Sequence, residues 1–229
     1  MLRSVALVLV LALVGCSGAD GSSDAALGTE APKQSQTSEP PKTPLRVLIA
    51  GDSIAGGYYA SDTDQAFPAL VVDELDQDYD VSRVLVAVGG ARAFRVAAQV
   101  ETDTIGREPA DVVVVEAGTN DIGVSTLADL TSGYTRLLDA VEATSPDAEI
   151  LCLGPWDAPA VARQFETVVR RLCADHQYLR LSDLYTEEGL RGPPGVDTEL
   201  GTSDRVHPND RGHAEIARRV VEAIDPDIS

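Results

Sequence analysis

The sequence predicts an α/β fold in which a parallel sheet lies between two layers of helices. From residue 45 onward, short aliphatic runs of strand length alternate with longer stretches of helical spacing. Such alternation sets consecutive strands parallel, with helices on the sheet faces. One run, Val112 to Val115, is four consecutive valines, the composition of a strand covered on both sides.

The strand-like runs are 45–50, 81–88, 111–117, 149–153 and 178–181. The first, Leu45-Arg46-Val47-Leu48-Ile49-Ala50, has the length and aliphatic content of a buried strand. Helical spacing marks 67–75, 94–100, 127–143 and 160–175, with a last helix near 212–224. In the fourth of these, Phe165, Val168, Val169 and Leu172 fall on one face. The expected architecture is a three-layer α/β/α sandwich around a five-stranded parallel sheet, without internal repeats. Residues 45–229 suit one domain with a substantial core.

The chain begins Met1-Leu2-Arg3, with an apolar run from Val5 to Val14. That run is too short to span a bilayer as a mature helix and suits a secretory signal. It ends Leu13-Val14-Gly15-Cys16, which resembles a bacterial lipobox, whose cysteine is lipidated and becomes the new N-terminus. An ordinary cleaved signal with an incidental cysteine is the competing reading. Residues 17–44 are dominated by small, polar and proline residues and are expected to form a disordered linker, since they cannot bury enough surface to offset ordering entropy. The expectation is an exported protein, held at the extracytoplasmic face of the cell membrane through its lipid anchor only.

The formal net charge is −19. So acidic a surface argues against nucleic acid as a partner and against electrostatic adhesion to anionic lipid.

Four segments carry chemistry. Gly51-Asp52-Ser53-Ile54-Ala55-Gly56-Gly57-Tyr58 follows the first strand, Gly89-Gly90-Ala91-Arg92 the second, and Gly118-Thr119-Asn120-Asp121 the valine strand. Asp204-Arg205-Val206-His207-Pro208-Asn209 precedes the last helix. The C-terminal edge of an open α/β sheet is where ligands and reactive groups gather. Each segment also has a plain structural reading: Ser53 or His207 as a helix cap, Asn120 closing an Asx turn. In this order they resemble the blocks of the SGNH branch of the GDSL hydrolases, esterases and lipases with a flavodoxin-like fold. The resemblance covers essentially all of residues 45–229. Ile54 replaces the usual leucine, and the glycine block lacks the asparagine that often precedes it.

The resemblance implies that Ser53 is a nucleophile and His207 its base. A serine hydroxyl attacks well only when a base takes its proton, and imidazole suits that work near neutral pH. Asp204 would accept from the other ring nitrogen and fix the tautomer. The oxyanion hole would be the Ser53 N–H, a backbone N–H at Gly90 (Gly89 is the fallback) and the Asn120 amide. No cofactor and no metal is called for.

Cys152 starts one strand and Cys173 ends the following helix. In an exported protein they could be bridged or remain two buried thiols. His176 is expected at the surface after its helix, and His213 to be structural. Glu116 is expected to be buried and hydrogen-bonded, and Asp52 to organise the loop of its neighbour. The expected activity is serine esterase action on small-molecule or glycan-linked acyl esters, by a protein that relatives suggest is a monomer. Acyl transfer to a glycan hydroxyl and a non-catalytic binding module are the alternatives.

Overall fold

A computed structural model describes residues 41–224; the expectations for the signal, for Cys16 and for residues 17–40 of the linker lie outside them. Thr43 and Pro44, expected to end the linker, are already in the first strand, because they pair with Tyr79 and Asp80 of its neighbour. Five strands, β1 (Thr43–Gly51), β2 (Tyr79–Ala87), β3 (Val112–Glu116), β4 (Glu149–Leu153) and β5 (Gln177–Leu179), form one sheet in the order β2-β1-β3-β4-β5. Every neighbouring pair is parallel. The predicted α/β/α sandwich with five parallel strands is the fold observed.

Alternation along each strand builds two cores, because successive side chains point to opposite faces. Leu48, Ala50, Val113 and Val115 pack with α2 (Ala93–Asp103), α3 (Leu127–Thr144) and α4 (Pro159–Leu172). Leu45, Val47, Ile49, Val112 and Val114 pack on the other face with α1 (Phe67–Leu75) and α6 (Asp210–Ala223). Each fully buried valine contributes about 1.5–3 kcal/mol, which is why the valine run sits at the centre of the sheet. A short α5 (Ser182–Tyr185) and a two-residue-per-strand hairpin, β6 (Asp197–Thr198) with β7 (Gly201–Thr202), complete the chain.

Boundaries moved where local chemistry overrides periodicity. Helix α6 begins at Asp210 because the Asn209 side chain caps it, accepting from the Gly212 N–H at 3.1 Å. Helix α4 stops at Leu172, and the next residue, Cys173, is joined to Cys152 of β4 by a disulfide. Strand β5 is only three residues long and ends at Leu179 rather than 181. Among the described residues, no helix is long and apolar enough to cross a membrane.

Candidate active site

The C-terminal ends of β1 and β3 lie side by side, with Gly51 opposite Glu116. Past β1 the chain turns at once: the Asp52 carboxylate accepts from the Ile54 N–H at 3.0 Å, and the Asp52 carbonyl from Gly56 at 2.9 Å. This turn holds Ser53 at the sheet edge, with only 6% of its surface exposed.

From 154 residues away in sequence, His207 brings Nε2 to 2.9 Å from Ser53 Oγ. Its Nδ1 lies 2.9 Å from Asp204 Oδ2. A carboxylate only accepts, so Nδ1 carries the hydrogen and Nε2 is left to accept from the serine hydroxyl. Asp204 Oδ1 meanwhile accepts the N–H groups of Val206 and His207, both at 2.8 Å. Partial burial pushes the Asp204 carboxyl up, but those N–H groups and the imidazole outweigh it and hold the group below its usual range.

The loop bearing this pair is tied down from outside. Arg191 Nη1 donates to the Arg205 carbonyl at 2.7 Å, and the indole Nε1 of fully buried Trp156 donates to the Val206 carbonyl, also at 2.7 Å. The Trp156 backbone N–H also reaches Thr119 Oγ1, at 2.9 Å. One residue thus braces the loops of both His207 and Asn120. Tyr59 sets its ring edge-on to the imidazole, centroids 4.7 Å apart, from a left-handed backbone at φ 64°. Such a conformation is uncommon for a bulky residue and clusters at functional sites. Sequence reasoning missed both residues; a lone tryptophan just past the C-terminal end of β4 was the available signal.

The loops of the expected oxyanion donors meet at Asn120, whose amide reaches Asp52, next to Ser53, and Ala91, next to Gly90. The N–H groups of Ser53 and Gly90 meet no acceptor among the described residues. Gly90 takes φ 69° with open space where a side chain would stand, whereas Gly89 is packed against the Tyr58 hydroxyl. Asn120 sits in a 3-10 turn (Thr119–Asp121) preceded by Gly118 at φ 108°. Its amide is engaged, donating to Asp52 Oδ2 at 2.8 Å and to the Ala91 carbonyl at 3.1 Å.

His213, also named from the sequence, is fully buried behind Tyr58. It accepts from the Phe67 N–H at Nδ1 and donates to the Tyr58 carbonyl from Nε2, at 3.4 and 3.3 Å. Burial lowers its pKa to about 4, which keeps it neutral. His176 pairs with Glu142 at 3.2 Å, away from the site. Among the described residues, no cluster of His, Cys, Asp or Glu could hold a metal ion.

The model of the GDSL-like lipase/acylhydrolase family matches residues 49–215, which include the four segments around Ser53, Gly90, Asn120 and His207. The chain belongs to this family. It is a carboxylic ester hydrolase of the GDSL type, and its fold recurs in solved structures of low sequence identity. The acetyl xylan esterase AlAXEase matches with a TM-score of 0.62 at 18% identity, over 79% of this chain and 100% of that one. TesA gives 0.64 at 21%, over 79% and 98%. The psychrotrophic esterase EstA from Pseudoalteromonas sp., solved with monoethylphosphonate as inhibitor, gives 0.63 at 16%, over 78% and 95%. No curated protein matches the chain by sequence.

Proposed function

We propose that this GDSL-type hydrolase is a lipid-anchored, extracytoplasmic serine esterase that removes small acyl groups from glycans or small molecules through an acyl-enzyme. The observation carrying the chemistry is the continuous line from Ser53 Oγ to His207 Nε2 and from His207 Nδ1 to Asp204 Oδ2, each step 2.9 Å.

In this reading Ser53 Oγ attacks the ester carbonyl as His207 takes its proton. The resulting imidazolium is stabilised by Asp204 and gives that proton to the departing alcohol. Negative charge on the tetrahedral oxygen is met by the Ser53 and Gly90 N–H groups and the Asn120 amide. Water then enters, is deprotonated by His207 and releases the acid, returning the proton to Ser53. Preorganised donors of this kind are worth about 2.7–4 kcal/mol each.

The substrate class is supported by a compact domain without a lid-like apolar insertion and by the likeness to an enzyme named as an acetyl xylan esterase. The anchor rests on the apolar run that ends at Cys16. Replacing Ser53 with alanine should abolish hydrolysis of a short acyl ester and labelling by a fluorophosphonate while leaving the circular dichroism spectrum unchanged. Undiminished turnover would end this reading. Mass spectrometry of the membrane-extracted chain should find diacylglycerol on Cys16, and Cys16→Ser should release the enzyme from the membrane; a soluble native protein would exclude the anchor.

A further inference from the structure

Directly behind Ser53 lie two carboxyl groups that the proton relay does not use. Asp52 and Glu116 are both fully buried. Glu116 Oε2 accepts the N–H groups of Asp52 and Ala55, at 3.2 and 3.3 Å. Asp52 Oδ1 accepts from Ile54, and Oδ2 from the Asn120 amide. The remaining oxygen, Glu116 Oε1, has no donor facing it. Glu116 also lies against the end of β1: a Cβ at Gly51 would come within 2.8 Å of Glu116 Oε2.

Among the described residues, no arginine or lysine pairs with either carboxyl. The titratable groups that face the pair are the buried Tyr134 phenol from α3 and the His207 imidazole. Two adjoining carboxylates in such a place could not both be ionised. A proton on Glu116 Oε1 resolves both difficulties: the partnerless oxygen becomes a donor to Asp52, and the pair carries a single charge. Burial, reinforced by the neighbouring Asp52, favours the neutral form of Glu116, and Asp52 is pushed up less strongly.

We propose that Glu116 and Asp52 share one proton and serve as positioning residues that aim the Asn120 amide at the oxyanion. Asp52 fixes one amide hydrogen of Asn120, at 2.8 Å; the other, on the Ala91 carbonyl at 3.1 Å, is the one that turns to the developing charge. The protonated Glu116 holds Asp52 in the orientation that makes this possible and keeps a second negative charge away from the oxyanion. Ionisation of both would repel the charge that the site must stabilise. This assignment rests on the proposed serine mechanism.

The test compares Glu116→Gln, Glu116→Ala and Asp52→Asn with the native enzyme, using infrared spectroscopy and steady-state kinetics. Glutamine reproduces a neutral carboxyl that can donate to Asp52. Glu116→Gln should therefore keep most of the native kcat, while Glu116→Ala lowers it. Asp52→Asn, which removes the acceptor holding Asn120, should lower kcat by about 10²-fold with little change in KM, the size of losing an oxyanion donor. The native protein should show the carbonyl band of a protonated carboxylic acid at mildly alkaline pH, absent from Glu116→Gln. The inference is overturned if that band is missing, or if Glu116→Gln, folded by circular dichroism, loses as much activity as Glu116→Ala. Ser53→Ala assayed alongside separates this failure from failure of the serine mechanism, because the infrared band does not depend on turnover.

Discussion

The indole N–H of Trp156 donates to the carbonyl of Val206 across 2.7 Å, one residue before His207. Since the Trp156 backbone N–H also holds Thr119, beside Asn120, a single buried residue ties together the loops of His207 and Asn120, the proposed base and oxyanion donor. Its indole makes the His207 half of that tie. Trp156→Phe would keep most of the packing and remove that donor. The lost hydrogen bond should lower stability by about 1–2 kcal/mol in urea unfolding. Because His207 would be less tightly placed, kcat should fall by about tenfold, short of the 10²-fold attached to a 1 Å misplacement. An unchanged kcat would mean that Asp204 and Arg191 suffice to hold the loop.

The layers were legible from residue patterns, because strand alternation and the apolar faces of helices report burial directly; the four candidate segments were legible only through their resemblance to the blocks of the GDSL hydrolases. Helix Phe67–Leu75 has the bounds that its spacing implies. What stayed hidden depends on contacts between distant residues. The left-handed backbone of Tyr59 and its edge contact with His207 leave no periodic signature, and the β6–β7 hairpin is too short for one. Glu116 shows the middle case. A carboxylate ending a valine strand is conspicuous, but its neighbour Asp52 comes from another strand's end, so the paired acids emerge only from the register of β1 on β3.

Asp204→Asn tests the electrostatic half of the relay. The amide would present a donor or a weaker acceptor to Nδ1, leaving part of the histidine in the wrong tautomer. By analogy with other serine triads, kcat should drop by about 10³–10⁴-fold. Substrate affinity should change little, since Asp204 is reached only through His207. A loss confined to KM would contradict the assigned role.

The bridge between Cys152 and Cys173 closes a loop with a sequence separation of 21. By loop entropy, such a cross-link stabilises by about 3 kcal/mol. Reduction of the Cys16→Ser chain should lower Tm without lowering kcat at moderate temperature, because neither sulfur touches the Ser53 site. Thiol titration of the unfolded chain should find no free thiol before reduction and both cysteines afterwards. Free thiols in the unreduced protein would refute the bridge.

His213 links stability to pH. Burial lowers its pKa in the folded protein from 6.5 to about 4, while the unfolded chain keeps the ordinary value. Above pH 6.5 both states are neutral at this residue and its contribution is constant. Between pH 6.5 and about 4 the unfolded chain binds the extra proton, so acidification favours unfolding; below that range both states are protonated and the slope vanishes. The span corresponds to about 3 kcal/mol. Glu116, whose folded form holds its proton more tightly, acts in the opposite sense and can flatten the native curve, so the measurement must be a difference. The stability of the native protein minus that of His213→Gln should shrink by about 3 kcal/mol on acidification through this window, because only the native chain carries the linked proton while Glu116 is common to both. A difference that stays constant with pH would show that folding leaves the His213 pKa unshifted, and so that burial does not hold this imidazole neutral in the acidic window.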